Sequence, residues 1–122
     1  MLFFLLGSLF GFVAVAFGAF GAHALKATLS IEMMAVFETS VRYQMYHSFA
    51  LFVAGWASQK YSGIPFAVAG WSFILGILLF SGSLYLLALT GIRWFGAITP
   101  FGGLAFLAGW LALVFGFWKV SQ

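Results

Sequence analysis

Phe37-Glu38-Thr39-Ser40-Val41-Arg42-Tyr43-Gln44-Met45-Tyr46-His47-Ser48 is the stretch whose reading decides the fold. It is the one long polar run in an apolar chain, and it leads straight into Phe49-Ala50-Leu51-Phe52-Val53-Ala54-Gly55-Trp56. An acid, a base, two tyrosines, a glutamine and a histidine fill about three helical turns. On a helix advancing 100° per residue, Glu38 and Arg42 stack one turn apart, as do Tyr43 and His47. Thr39 and Tyr46 complete a polar sector covering about half the circumference. Beyond His47 the same line continues as Ala50, Ala54 and Ala57. The pattern predicts a helix buried against neighbours, polar at one end and close-packed at the other. Glu38 and Arg42 are expected to pair, with Tyr43 and His47 facing inward.

Composition says what surrounds this helix. The chain is 65% hydrophobic and 6% charged, whereas soluble domains carry about a quarter charged residues. The charged side chains are Lys26, Glu32, Glu38, Arg42, Lys60, Arg93 and Lys119. The basic ones are scattered and form no patch, which excludes a nucleic-acid partner. They sit instead where helix ends meet a bilayer surface. Without cysteine there is no disulfide and no thiolate metal site. One domain over residues 1–122 is expected.

Outward from the polar run, the first span covers 2–22, about the length that crosses a bilayer core. Ala22-His23-Ala24 resembles a signal-peptidase site, but no Lys or Arg precedes the apolar run, so a permanent helix is expected. Ser30 is the expected N-cap of the second helix, with Glu32 in its first turn. Its membrane portion is placed at 35–57. Ser58 to Gly63 forms a turn, and Ile64-Pro65 opens a third span over 64–89, stopped by Thr90-Gly91. Thr99-Pro100 is read as the N-cap and first turn of a fourth span over 100–118. Small residues line one face of each outer span: Gly7, Gly11 and Gly18 in the first, Gly102 and Gly109 in the fourth. Such faces let helix backbones approach closely in lipid. The expected fold is an all-α membrane protein, a four-transmembrane-helix antiparallel bundle with both termini on one side. Lys60 and Lys119 on one side against Lys26, Arg93 and Arg42 on the other leave its orientation open.

A polar pocket is expected where the second and third helices meet. Glu38, Arg42, Tyr43 and His47 would face Ser81, Ser83 and Tyr85, with His23 and Thr99 closing the same end. The antiparallel arrangement puts these groups at similar depth, and polar groups without partners in lipid cost several kcal/mol. A purely structural reading stands beside this one, with an ion pair ending the span and a neutral histidine bonded to a neighbouring helix. No catalytic constellation is evident. His23, His47, Glu32 and Glu38 match no zinc spacing. Phe80-Ser81-Gly82-Ser83-Leu84 lacks the first glycine of a nucleophile elbow. No metal or cofactor is expected.

Gly18-Ala19-Phe20-Gly21-Ala22-His23-Ala24-Leu25 and Val36-Phe37-Glu38-Thr39, followed by Arg42-Tyr43-Gln44-Met45-Tyr46-His47, resemble the hallmark segments of one family. Phe80 to Tyr85 and Ile98-Thr99-Pro100-Phe101-Gly102-Gly103 extend the resemblance over essentially the whole chain. The family is domain of unknown function 423, also called uncharacterised protein family 0382, and is related to transmembrane protein 256. The resemblance implies a four-helix, multi-pass protein of the cell membrane and names no activity. The leading expectation is a non-enzymatic bundle whose pocket binds a lipid, a small molecule or a partner helix. The alternatives are a small oligomeric or proton-linked carrier, and a membrane enzyme using Glu38 and His47 as acid and base. The partners to expect are the lipid bilayer, a lipid or small-molecule ligand, and a second copy or another membrane protein.

Overall fold

The computed structural model describes residues 1–122 and is built of helices joined by short turns. Four long helices follow one another: α1 (Leu2–Leu25), α2 (Ile31–Lys60), α3 (Ile64–Thr90) and α4 (Phe95–Val120). Three of them, α1, α3 and α4, are long and apolar enough to cross a membrane. α2 has 30 residues, about 45 Å of helix, but carries the polar run.

Local chemistry sets most of the boundaries. The Ser30 hydroxyl accepts the Met33 N–H at 3.1 Å, satisfying one of the free donors at the start of α2. Pro65 sits in the first turn of α3, where its missing N–H costs nothing. Gly91 ends α3 in the left-handed conformation (φ 71°), its N–H closing on the Leu87 carbonyl. The start of α4 differs from the sequence expectation. The Phe95, Gly96 and Ala97 N–H groups bond three residues back, to Ile92, Arg93 and Trp94, so the helix is under way before Thr99. Pro100 therefore lies inside α4, and the Gly96 carbonyl loses its usual helical donor. α1 and α3 each contain a five-residue π-helical turn, Phe17–Gly21 and Ile77–Ser81, which the apolar pattern does not announce.

The tightest seam joins α3 to α4. Phe66, Phe73 and Phe80 recur every seven residues on α3, and Gly116, Gly109 and Gly102 recur every seven on α4. Running antiparallel, each phenylalanine meets a glycine. A Cβ placed on Gly109 would stand 2.6 Å from the Phe73 ring, and one on Gly116 would stand 2.7 Å from the Phe66 ring. On Gly102 it would meet the backbone of Phe80, 2.7 Å from its Cα. Phe106 fills the reverse position against Gly76. A strict seven-residue repeat keeps such a seam facing its partner along the whole contact.

α1 lies antiparallel to α2. A Cβ on Gly7 would come 3.1 Å from the Ser48 carbonyl oxygen, and one on Gly18 would come 3.0 Å from Val41. Gly11 is looser, 3.9 Å from the Ser48 side chain by the same construction. Ala50, Ala54 and Ala57 of α2 are buried against Phe66, Phe73 and Ile77 of α3. α2 and α3 thus form a central pair, with α1 laid along one side and α4 along the other. Few side chains connect α2 to α4. The exterior is apolar, with Leu5, Phe12, Trp71, Leu78, Leu111 and Val114 all pointing outward. Acyl chains cover such a surface at no cost, whereas water does not.

Candidate functional site

Two faces of α2 carry its polar side chains. The first, Ser40, Gln44 and Ser48, repeats every four residues and is buried. Ser40 and Ser81 are bonded reciprocally: the Ser40 hydroxyl donates to the Ser81 carbonyl at 2.6 Å, and the Ser81 hydroxyl donates to the Ser40 carbonyl at 2.9 Å. Gln44 ties three helices together. Its amide donates to the Phe10 carbonyl of α1, and its carbonyl accepts the Tyr85 hydroxyl of α3, both at 2.8 Å. Ser48 donates to the Gln44 carbonyl. Further along α3, Ser83 donates to the Phe80 carbonyl at 3.0 Å, so the 2.7 Å bond with Thr99 of α4 is donated by Thr99. No buried side-chain nitrogen or oxygen in the chain lacks a partner. Each buried polar atom of this network already has a partner within the protein.

The second face opens into a groove of about 810 Å³ between α2 and α4. Tyr43, Tyr46 and His47 form its α2 wall, Phe80 its floor, and Pro100, Gly103, Leu104, Phe106, Leu107 and Trp110 its α4 wall. His47 is buried and stacks on Phe106 with ring centroids 3.5 Å apart. Its Nε2 lies 3.2 Å from the Trp110 indole N–H, and its Nδ1 lies 2.6 Å from the Tyr43 carbonyl. An indole can only donate and a carbonyl can only accept, so this geometry fits the neutral imidazole with its proton on Nδ1. Both ring nitrogens are then occupied. Tyr43 stacks on Phe80 at 4.7 Å and lies 5.9 Å from the Tyr46 ring. Of the four tyrosines, only Tyr85 has its hydroxyl on a protein acceptor. The hydroxyls of Tyr43 and Tyr46 therefore remain free beside an uncharged, aromatic groove.

The nine residues expected in one pocket lie in four places. Ser81, Ser83, Tyr85 and Thr99 are consumed by bonds between helices, so the space expected beside Ser81 and Ser83 is filled by protein. Tyr43 and His47 line the α2–α4 groove. Glu38 and Arg42 stand exposed by a small cleft of about 250 Å³ shared with Gly18 and Ala22 of α1. Arg42 turns to Thr39, Nη2 to Oγ1 at 3.5 Å, rather than to Glu38. His23 is exposed near the end of α1. Glu38 and His47 are nine positions apart, half a turn of helix in bearing, which is why one pocket does not hold both. Ser40, Gln44 and Trp110 were not singled out from sequence, and Tyr46 was placed only in the polar sector of α2, not in the pocket. The four-residue repeat of Ser40, Gln44 and Ser48 was a usable signal for the first two. Trp110 has none, because its role depends on which helix faces α2.

An all-helical chain with three membrane-length apolar helices, an apolar exterior and polar groups turned inward defines an integral membrane protein. The family model "Protein of unknown function (DUF423)" matches residues 17–103. The UPF0382 membrane protein of Staphylococcus haemolyticus is 52% identical over 118 residues, covering 97% of this chain and 96% of the relative. The UPF0382 membrane protein YwdK of Bacillus subtilis is 46% identical over 92% of each chain. The UPF0382 inner membrane protein YgdD of Escherichia coli is 42% identical over 87% of this chain and 81% of its own. No solved structure matches. The chain belongs to the DUF423/UPF0382 family of membrane proteins.

Proposed function

We propose that this protein crosses the cell membrane four times and holds a neutral, carbonyl-bearing lipid in the groove between α2 and α4. α2 is included among the spans because α1 and α3 flank it and its polar stripe is turned inward. Its outward residues beyond the groove are Phe49, Val53 and Trp56. Four antiparallel passes then leave both chain ends on one side.

One observation carries the ligand reading: Tyr43 and Tyr46 present two unpartnered hydroxyls near the middle of α2. At that depth there is no water to satisfy them, and an unpaired polar group in hydrocarbon is costly. A lipid with ester or ring carbonyls supplies acceptors. Tyr43 stacked on Phe80 and His47 stacked on Phe106 supply an aromatic bed for its body. The groove has no charged residue, which selects a neutral molecule. Acid–base chemistry by Glu38 with His47 has less support, since the two point away from each other.

The test is the lipid that accompanies the protein when it is extracted gently from its own membranes. Parent protein should carry a neutral carbonyl lipid at near-stoichiometric level. The Tyr43→Phe/Tyr46→Phe double variant should lose it while keeping its melting temperature. Equal lipid content in both would refute the assignment.

A further inference from the structure

A second groove lies at the opposite end of the bundle and uses none of these residues. It runs between the start of α3 and the last turns of α4, about 780 Å³ in volume, and Pro65, Phe66, Val68, Phe115 and Val120 supply its apolar walls. Lys119 stands at its rim. We infer that this groove seats one acyl chain of an anionic phospholipid, with the lipid phosphate held by the Lys119 ammonium.

The argument rests on charge and depth. This end of the bundle carries Gln59, Lys60, Ser62, Lys119, Ser121 and Gln122, the polar residues expected at a headgroup layer. Lys60 is already placed over aromatic rings, 4.9 Å from the centre of Trp56 and 5.5 Å from that of Tyr61. Lys119 has no such cover, and no acidic side chain lies at this end of the bundle. The only two acidic side chains of the protein, Glu32 and Glu38, lie in the first turns of α2, at the far end of the bundle. A second copy inserted in the same orientation would therefore bring no acidic side chain to this depth, and its own Lys119 would repel. An anionic lipid satisfies both halves of the site. Its chain fills a trough that runs from Lys119 to Val68 and Ala112, and its phosphate meets the one cation lining it. This occupant is anionic and superficial, unlike the neutral, deep ligand proposed for the α2–α4 groove, so either assignment can fail without the other.

The experiment reconstitutes the full chain into vesicles of phosphatidylcholine containing phosphatidylglycerol as the minor component, then counts retained lipids by native mass spectrometry. Parent protein should retain phosphatidylglycerol above its bulk share. Lys119→Gln should lower that retention about fivefold, the discrimination one basic group near a bilayer surface supplies. Lys119→Arg should keep it. Lys60→Gln serves as the control and should leave it nearly unchanged. Val68→Trp, which fills the trough with Lys119 intact, should also lower it. The inference fails if Lys119→Gln retains the parent preference. It fails equally if Lys60→Gln matches the loss, since end charge alone would then explain it, or if Val68→Trp changes nothing.

Discussion

Ser40, Gln44 and Ser48 interleave in sequence with Tyr43, Tyr46 and His47, yet the two sets end in opposite circumstances. The first set faces α3 and α1, where Ser40 and Gln44 are bonded to other helices and Ser48 bonds back to its own. The second faces α4 along the groove, where His47 is held by Phe106 and Trp110 but the Tyr43 and Tyr46 hydroxyls have no partner. The difference comes from the neighbours. α2 meets α3 with small side chains, Ser40, Ala50, Ala54 and Ala57, that permit close approach to Ser81, Phe73 and Phe66. α4 is drawn onto α3 by its glycine seam and leaves α2 behind. The close packing of α3 with α4 is thus what opens the groove.

Adjacent glycines of α4 give the sharpest way to break this comparison. Gly102 lies on the closed seam and Gly103 on the groove wall. An added Cβ at Gly102 collides with the Phe80 backbone, whereas at Gly103 it would find its nearest neighbour, a Phe80 ring carbon, at 3.9 Å. Gly102→Ala should cost about 1–3 kcal/mol in a detergent melt because a backbone cannot rotate away. Gly103→Ala should be neutral or stabilising by up to about 1 kcal/mol through helix propensity. Equal losses at both positions would mean that the groove is closed in the membrane. The same logic separates Gly109→Leu, which drives into the Phe73 ring, from Gly11→Leu, which meets only ordinary contact. The first should lower the melting temperature clearly more than the second.

A smaller effect is expected from Gln44→Leu, which strands the Tyr85 hydroxyl and frees the Phe10 carbonyl. Bonds between membrane helices contribute about 0.6–2 kcal/mol each, so a loss of about 1–2 kcal/mol is expected, with no requirement for added lipid. Ser40→Ala should cost about 1 kcal/mol or less, because Ser81 still donates to the Ser40 carbonyl. Stability restored to Gln44→Leu by a groove ligand would show that the two faces are coupled rather than separate.

The smallest effect belongs to Glu38→Gln. Glu38 is exposed on the face turned away from the groove, so melting temperature and retained lipid should both stay at parental values, within about 0.5 kcal/mol for stability. A loss of lipid in this variant would reinstate a shared pocket for Glu38 and His47.

Much of the scaffold could be read from residues alone. The apolar lengths of α1, α3 and α4, the Ser30 cap and the Gly91 stop each follow from local chemistry. The start of α4 did not, because Ile92 to Ala97 begin the helix through i to i+3 bonds that any sequence can make, and Pro100 then looks like a first-turn residue. The heptad match of Phe66, Phe73 and Phe80 with Gly116, Gly109 and Gly102 was visible in sequence and would have predicted the α3–α4 seam. The groove was not legible, since it lies where α2 and α4 meet only through His47, Phe106 and Trp110 and leave the space beside them open. Periodicity gives each side chain a bearing on its own helix, but not the identity of what it faces.

The most direct test places a photoreactive residue at Leu104, on the groove wall, and separately at Leu111, which is exposed on α4 outside the groove. Illumination in native membranes is followed by mass analysis of the adducts. Leu104 should yield predominantly one neutral carbonyl lipid, while Leu111 yields bulk phospholipids in membrane proportion. The same adduct distribution at both positions would contradict a ligand-binding groove and leave Tyr43 and Tyr46 as ordinary lipid-facing surface.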